Sequence, residues 1–412
     1  MDLNELLKTV KNAEKSLAIL DHKSRCQILH NIKDNLTKNI DYIITENAQD
    51  IENAKNSGIS NSMIDRLTLN EARINQMANG ALNVANLNEV VNIDLETINR
   101  PNGLKIIKKS VPFGVIAMIF EARPNVCVDI ASLCIKTANS CVLKGGKEAI
   151  NSNIALVKIM REAIKNICDK NVITLIEDNS REVTNELITK KEYIDLLVPR
   201  GGKNLINFVK DNAKVPIIET GAGNCHLYIH EKADIDMALK IAINAKYSRP
   251  SVCNAIENLI VDKNIANDFL PRLKESFDKL SIDIRGDEAT SKIINCELAN
   301  DEDFYTEYND YIIAVKVIEN INAAIDFINE HSTKHSETIV TNDLSARDLF
   351  LQNIDSACVY HNASTRFSDG GEFGFGAELG ISTQKMHARG PMGIREMTTY
   401  KYLIYGNGQV RE

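Results

Sequence analysis

Cys253 stands in the stretch Ser248-Arg249-Pro250-Ser251-Val252-Cys253-Asn254, where a proline and two serines interrupt an otherwise regular pattern. A helical run, residues 233–246, precedes it, and an apolar strand-like run, residues 256–261, follows it. A thiol displayed between two regular elements is open to substrate in a way that a core thiol is not. Arg249 supplies a cation that favours the nucleophilic thiolate, and Asn254 supplies an amide suited to an oxyanion. Spacing alone fits equally a small buried hydrophobe, the commoner fate of a cysteine. That second fate is expected for Cys127, Cys134 and Cys141, which lie on an apolar helix and the strand after it.

Two turns combine glycines with bases at a strand-to-helix transition: Lys144-Gly145-Gly146-Lys147 and Pro199-Arg200-Gly201-Gly202-Lys203. Glycine lets the backbone approach an anion, helix N-terminal amides donate to it, and lysine adds charge for a ribose or its 2′-phosphate. Each turn taken singly also fits an ordinary tight turn with a solvated lysine. No GxGxxG fingerprint follows the first strand. In Glu219-Thr220-Gly221-Ala222-Gly223-Asn224 the carboxylate suits a proton relay or a plain cap. His331, His335 and Glu337, with Cys225-His226, hold metal-ligand types but not the paired spacing of known zinc sites, so no metal is expected. His387, in a glycine-rich loop, suits a catalytic role but is expected rather to bond backbone, and Arg285-Gly286-Asp287 to sit in a helix cap.

The elements that must position these residues follow from length and periodicity. The chain has 412 residues, 44% hydrophobic and 25% charged, enough for two or three domains with their own cores. A net charge of −8 without a dense basic block speaks against a nucleic-acid or anionic-membrane surface and for a small-molecule substrate. Nine cysteines without CxxC spacing, no signal-like apolar segment, and no apolar run near the roughly 20 residues of a membrane span place the chain in a reducing cytoplasm. Residues 1–90 read as helices, with Leu3, Leu6, Leu7 and Val10, then Ile28, Ile32 and Leu36, at helical spacing. Apolar strands at 115–120, 141–144, 172–176, 194–198 and 215–218 then alternate with helices, which implies a parallel doubly wound α/β sheet. A second series starts at His226 and continues at 256–261, 312–317, 338–340 and 357–360, a second α/β domain carrying Cys253. Residues 104–110 and 398–409 fit neither series and pair as a projecting arm, an edge that recruits a partner subunit.

The chain resembles the gamma-glutamyl phosphate reductases, a family within the aldehyde dehydrogenase superfamily. The resemblance rests on Val111-Pro112-Phe113-Gly114-Val115-Ile116, Glu121-Ala122-Arg123-Pro124-Asn125-Val126 and Leu143-Lys144-Gly145-Gly146-Lys147-Glu148. It continues through Val198-Pro199-Arg200-Gly201-Gly202, Arg249-Pro250-Ser251-Val252-Cys253-Asn254 and Asn362-Ala363-Ser364-Thr365-Arg366-Phe367. It ends in Ser382-Thr383-Gln384-Lys385-Met386-His387-Ala388-Arg389-Gly390-Pro391 and runs in order over nearly the whole chain.

The resemblance implies an aldehyde dehydrogenase-like α/β fold with a variant dinucleotide-binding sheet, a catalytic domain and a β-arm for homo-oligomers. Boundaries follow: 1–222 NADP-binding with N-terminal helices, the arm strand near 95–110 set apart; 223–380 catalytic; 381–412 a C-terminal return and oligomerisation arm. The implied activity is NADPH-dependent reduction of L-glutamyl 5-phosphate to L-glutamate 5-semialdehyde with release of phosphate, the second step of proline biosynthesis from glutamate. Functional coupling to glutamate 5-kinase is implied with it. Cys253 would displace phosphate to give a thioester that accepts hydride. Asn125 would serve the oxyanion with the Cys253 amide, although a straight superfamily alignment puts Arg123 at that position. Lys144, Gly145, Gly146, Arg200, Gly201, Gly202 and Glu307 would hold the cofactor. Arg123, Ser364, Thr365 and Arg366 would meet the glutamyl carboxylate and phosphate. Glu219 falls on the general base of hydrolytic relatives, which a reductase does not need. The rival readings are a phosphate-independent aldehyde-oxidising dehydrogenase of the same fold, and a non-redox nucleotide binder.

Overall fold

Hydrophobic residues three and four apart open the chain as helices: α1 (Leu3–Ala18), α2 (His22–Lys38), α3 (Ile40–Asn56), α4 (Asn61–Leu67) and α5 (Glu71–Ala85). The computed structural model describes residues 2–411, with side chains throughout except at Asn61, Ser62 and Lys203. Asp21 caps α2 by accepting from the Ser24 N–H at 2.8 Å, and Asn70 caps α5 from the Arg73 N–H at 2.9 Å. Leu3, Leu7 and Val10 of α1 are buried against Val115, Ala117 and Val142, while Ile28, Ile32 and Leu36 face inward from α2. Among the described residues no helix is long and apolar enough to cross a membrane.

The chain divides into two units: Met1–Glu219 with Phe375–Leu379 and Met392–Glu412, and Thr220–Gly374 with Gly380–Pro391. The segment expected as one C-terminal piece, 381–412, is thus shared between them. The first unit continues with β1 (Asp94–Asn99), β2 (Lys105–Pro112), β3 (Val115–Phe120), α6 (Asn125–Lys136), β4 (Ser140–Lys144), α7 (Ile150–Ile164), β5 (Ile173–Leu175), α8 (Arg181–Leu187), β6 (Leu196–Arg200) and α9 (Lys203–Asn212). Strands β5-β4-β3-β6 form a parallel sheet in that order. All six residues of β3 are buried, as an inner parallel strand requires. Residues 215–218, expected as a fifth strand, make only a bridge from Ile217 to Leu197. Pro216 has no N–H to give, so the ladder does not propagate. The carboxyl ends of the strands bring Glu121, Lys144 and Arg200 to one edge of this sheet, the edge where ligands of such folds bind.

The second unit holds β7 (Cys225–Ile229), α10 (Ile235–Tyr247), β8 (Ile256–Asp262), α11 (Lys263–Lys279), β9 (Asp283–Gly286), α12 (Glu288–Ser291), β10 (Glu297–Leu298), β11 (Ile312–Ile318), α13 (Ile321–His331), β12 (Ser336–Val340), α14 (Leu344–Asn353) and β13 (Cys358–His361). Its parallel sheet runs β10-β9-β11-β8-β7-β12-β13. Short β14 (Gly380–Ser382) and β15 (Gly390–Met392) pair with each other. Strand β9 contradicts the expectation of a helix cap at residues 285–286: Arg285 and Gly286 pair with Ala314 and Val315. Only Asp287 caps, accepting from the Thr290 N–H at 2.8 Å.

The arm has three strands rather than two, β1-β2-β16, with β16 (Thr398–Tyr405) antiparallel to β2 from Thr398 opposite Pro112 to Tyr405 opposite Lys105. Leu95, Tyr400, Tyr402, Ile404 and Tyr405 are exposed on it. Buried Asn139 ties the arm to the first sheet, accepting from the Gly114 N–H at 2.9 Å and donating to the Met397 carbonyl at 2.9 Å. Asn139→Ala strands both groups and is expected to lower unfolding free energy by about 1–3 kcal/mol, measured by urea denaturation. A loss under ~0.5 kcal/mol would contradict this role.

Candidate active site

The turn between α10 and β8 holds Cys253 half-buried at the amino edge of the second sheet. The Ala255 N–H donates to the Val252 carbonyl at 3.0 Å, tightening the turn. The Cys225 thiol donates to the Cys253 carbonyl at 3.2 Å. Gly223 fixes it more firmly. A Cβ built there would overlap the Cys253 carbonyl and lie 2.6 Å from its Cα, so the two backbones touch and only glycine fits. The Gly223 N–H donates in turn to Glu307 Oε1 at 2.8 Å. Glu307, expected at the cofactor, is therefore joined to the Cys253 turn through one glycine.

The turn at residues 364–368 braces the same loop. Thr365 is buried, and its hydroxyl donates to the Asn254 carbonyl at 2.7 Å. Ser364, also buried, accepts from the Arg366 N–H at 3.3 Å. Arg366 donates through Nε to the Ser248 hydroxyl at 3.1 Å and through a terminal nitrogen to Asn254 Oδ1. Burial lowers the Arg366 pKa, the neighbouring Arg249 lowers it further, and Asp369 and Cys253 pull it back up. Two guanidinium groups thus bear on the Cys253 turn, an arrangement suited to an anionic substrate. Asn254 departs from expectation: its Nδ2 donates to the Ser368 carbonyl at 2.9 Å and the Arg366 carbonyl at 3.4 Å. It positions the turn rather than aiming an amide at an oxyanion.

The metal-ligand types are used internally. Cys225 Sγ lies 3.7 Å from His335 Nδ1, and burial pushes His335 down to about 4. His226 Nδ1 lies 3.1 Å from Glu337 Oε2, which also accepts from the His226 N–H at 2.6 Å. His387 is exposed and left-handed at φ +64°. Its neighbours anchor the Gly380–Pro391 segment: Lys385 and Arg389 reach Asp355 at 2.9 and 3.0 Å, and Lys334 at 2.9 Å. Hydrogen bonds from Lys385, then Lys334 and Arg389, hold the Asp355 carboxyl well below its usual range.

In the first unit Lys144 is buried at the end of β4, where desolvation lowers its pKa while Asp178 and Glu148 oppose the shift. A Cβ on Gly145 would overlap Asn153 Nδ2, a buried donor without a partner. A lysine, an unspent amide donor and a side-chain-free turn fit the hydroxyl and anionic groups of a dinucleotide. The Arg200 to Gly202 turn differs. Glu121 Oε2 accepts the Gly202 N–H at 2.8 Å, and Arg200 donates to the Leu379 carbonyl at 3.1 Å. The α9 terminus thus already holds a carboxylate; the Lys203 side chain lies outside the described residues. Asn125 begins α6 and donates to Asp129 at 2.9 Å, and Arg123 is exposed in the preceding loop. Burial raises the Asp129 carboxyl, against the pull of Asn125 and Arg200. Glu219 is paired with Lys210 at 3.1 Å.

The aldehyde dehydrogenase family model matches residues 1–296. The gamma-glutamyl phosphate reductase of Petrotoga mobilis is 52% identical over 406 residues, covering 98% of this chain and 97% of its own. That of Nautilia profundicola is 47% identical with complete coverage of both, 100% and 100%. The crystal structure of the Thermotoga maritima gamma-glutamyl phosphate reductase superposes with a TM-score of 0.99 at 43% identity, covering 100% of each chain. The chain belongs to the gamma-glutamyl phosphate reductases of the aldehyde dehydrogenase family. The fold is the aldehyde dehydrogenase one, seen also in an acetylating aldehyde dehydrogenase of Geobacillus thermoglucosidasius, 17% identical with a TM-score of 0.67 over 99% of this chain and 97% of that one. Membership in the aldehyde dehydrogenase family implies a nicotinamide dinucleotide cofactor and a small-molecule substrate.

Gly223 and Glu121 carry no role in the sequence motifs that contain them, because each acts through a neighbour distant in the chain, whereas Asp129 lies one helical turn from its partner Asn125. Gly223→Ala should push the Cys253 backbone aside and slow alkylation of Cys253 by iodoacetamide about 10- to 100-fold, read by peptide mass spectrometry. Unchanged alkylation would show that the close approach is not needed.

Proposed function

We propose that this chain reduces L-glutamyl 5-phosphate to L-glutamate 5-semialdehyde with NADPH, releasing phosphate, as the second step of proline biosynthesis in the cytoplasm. The observation that carries this reading is the Arg249 and Arg366 pair bearing on the nucleophile turn, since a neutral aldehyde or thioester substrate has no use for two cations there. The Cys253 thiolate attacks the acyl carbon, the carbon–oxygen bond to phosphate breaks, and phosphate leaves toward the guanidinium groups, taking up a proton from solution. The thioester that remains is a better hydride acceptor than a carboxylate. When bound, the nicotinamide cofactor supplies that hydride. Collapse of the hemithioacetal oxyanion then expels the Cys253 thiolate and frees the aldehyde, so no general base is required and Glu219 can remain paired with Lys210.

Lys144, Gly145 and Gly146, with the turn from Arg200 to Gly202, hold the cofactor in this reading, and Glu307 meets its nicotinamide ribose. Lys144 and the exposed Lys147 favour a 2′-phosphate and hence NADPH over NADH. Asn125, or Arg123 beside it, is the first unit's candidate for the oxyanion, and the Cys253 N–H is the second unit's. Arg366 takes phosphate, Arg123 the glutamyl carboxylate, and of the other two candidates Ser364 accepts the Arg366 N–H while Thr365 braces the Asn254 carbonyl. The exposed tyrosines of the arm suit a homo-oligomer, and the substrate comes from glutamate 5-kinase.

The test is NADP⁺ reduction by glutamate 5-semialdehyde with and without phosphate. Turnover should require phosphate and fall at least about a thousandfold in Cys253→Ala. Arg249→Ala should raise the phosphate KM about 10-fold or more and leave the semialdehyde KM within about twofold. Turnover indifferent to phosphate would move the chain to the aldehyde-oxidising dehydrogenases, and activity surviving Cys253→Ala would remove the thioester.

A further inference from the structure

A buried ion pair spans the base of the Cys253 loop. Lys246 lies in the last turn of α10 and Glu257 is the second residue of β8, and Nζ and Oε2 stand 2.5 Å apart with side-chain exposures of 0% and 1%. The other oxygen, Oε1, accepts the Asn309 N–H at 3.2 Å. Asn309 is left-handed at φ +56° and follows Glu307 by two residues. Glu307 holds the Gly223 N–H, and Gly223 rests on the Cys253 backbone. The contacts therefore close a ring: Cys253 loop, Lys246, Glu257, Asn309, Glu307, Gly223, and back to Cys253.

Stability does not explain such a pair. Desolvating two charges costs several kcal/mol per ion, and well-packed apolar residues in their place commonly leave a protein as stable or more so, by about 1–4 kcal/mol. The pair does supply direction, because a charge-assisted bond fixes the loop's two ends and its second oxygen fixes the Glu307 segment. We propose that Lys246 and Glu257 are positioning residues that set the Cys253 thiol and the Glu307 carboxylate in register for the reaction. Neither touches a reacting atom. The inference rests on the reading of Cys253 as the nucleophile.

The other ionisable groups bearing on the pair are Asp310 and Cys225 beside Lys246 and Glu307 beside Glu257. Burial raises Glu257 to about 7 and lowers Lys246. Because the folded pKa of Glu257 is raised, the ion pair is complete above about pH 7 and is lost as pH falls through that value, which should add an acid limb near neutrality to kcat.

Lys246→Met/Glu257→Met, Glu257→Gln and Cys253→Ala are compared with the wild-type enzyme for kcat, both KM values, thermal midpoint and Cys253 alkylation rate. The double variant should fold with a midpoint at or above wild type. Its kcat should drop about 10- to 100-fold with KM values within about threefold, and its acid limb should disappear. Glu257→Gln, which keeps an acceptor for Asn309 but no charge, should fall between, and it decides the question if the double variant does not fold. A folded double variant, or Glu257→Gln in its absence, with wild-type kcat and wild-type alkylation overturns the proposal. Full activity in Cys253→Ala overturns the nucleophile assignment instead.

Discussion

The contact of Gly223 with the backbone of Cys253 constrains everything else in the second unit's site. Two chains meeting without an intervening side chain can be held only if both come from rigid elements, and here one leads into β7 while the other lies between α10 and β8. The register of β7 on β8, Cys225 opposite Ile256 and then His226 opposite Asn258, shifts by one residue at the end where the contact is made. A bulge at that end re-aims the chain, a familiar device beside functional sites. Glu307 and Arg366 then have fixed points to bind, the Gly223 amide and the Asn254 side chain.

The charges near the thiol follow a consistent logic. Buried Glu257 is matched by Lys246, Arg366 is spent partly on Ser248 and Asn254, and Arg249 stays exposed. The turn is electropositive, with Arg366 tied to the protein through Nε and a terminal nitrogen and Arg249 open to solvent. That is the arrangement expected of a site that must attract a phosphorylated substrate and then let phosphate go.

How much of this was legible in the sequence depended on how local the information was. The strand at residues 115–120 was found with its observed limits because six consecutive apolar residues admit few alternatives. The loop around Cys253 was visible from its proline and from the change of period on either side. Residues 215–218 misled because they are apolar, while Pro216 stops the ladder. Strand β9 was missed because Asp283, Arg285 and its short length mask the alternation. Glu307 and Arg366 came from resemblance rather than from pattern. Gly223 and Glu121 stood in quoted motifs without a role, since their partners are set only by the folded sheets.

The measurement that tests the account most directly is the intact mass of the protein after mixing with glutamate 5-semialdehyde and NADP⁺ in the absence of phosphate. The account predicts a glutamyl adduct on the Cys253 peptide that persists until phosphate is added and is then discharged. An unmodified Cys253 under turnover conditions, or an adduct that water removes as fast as phosphate does, would contradict it.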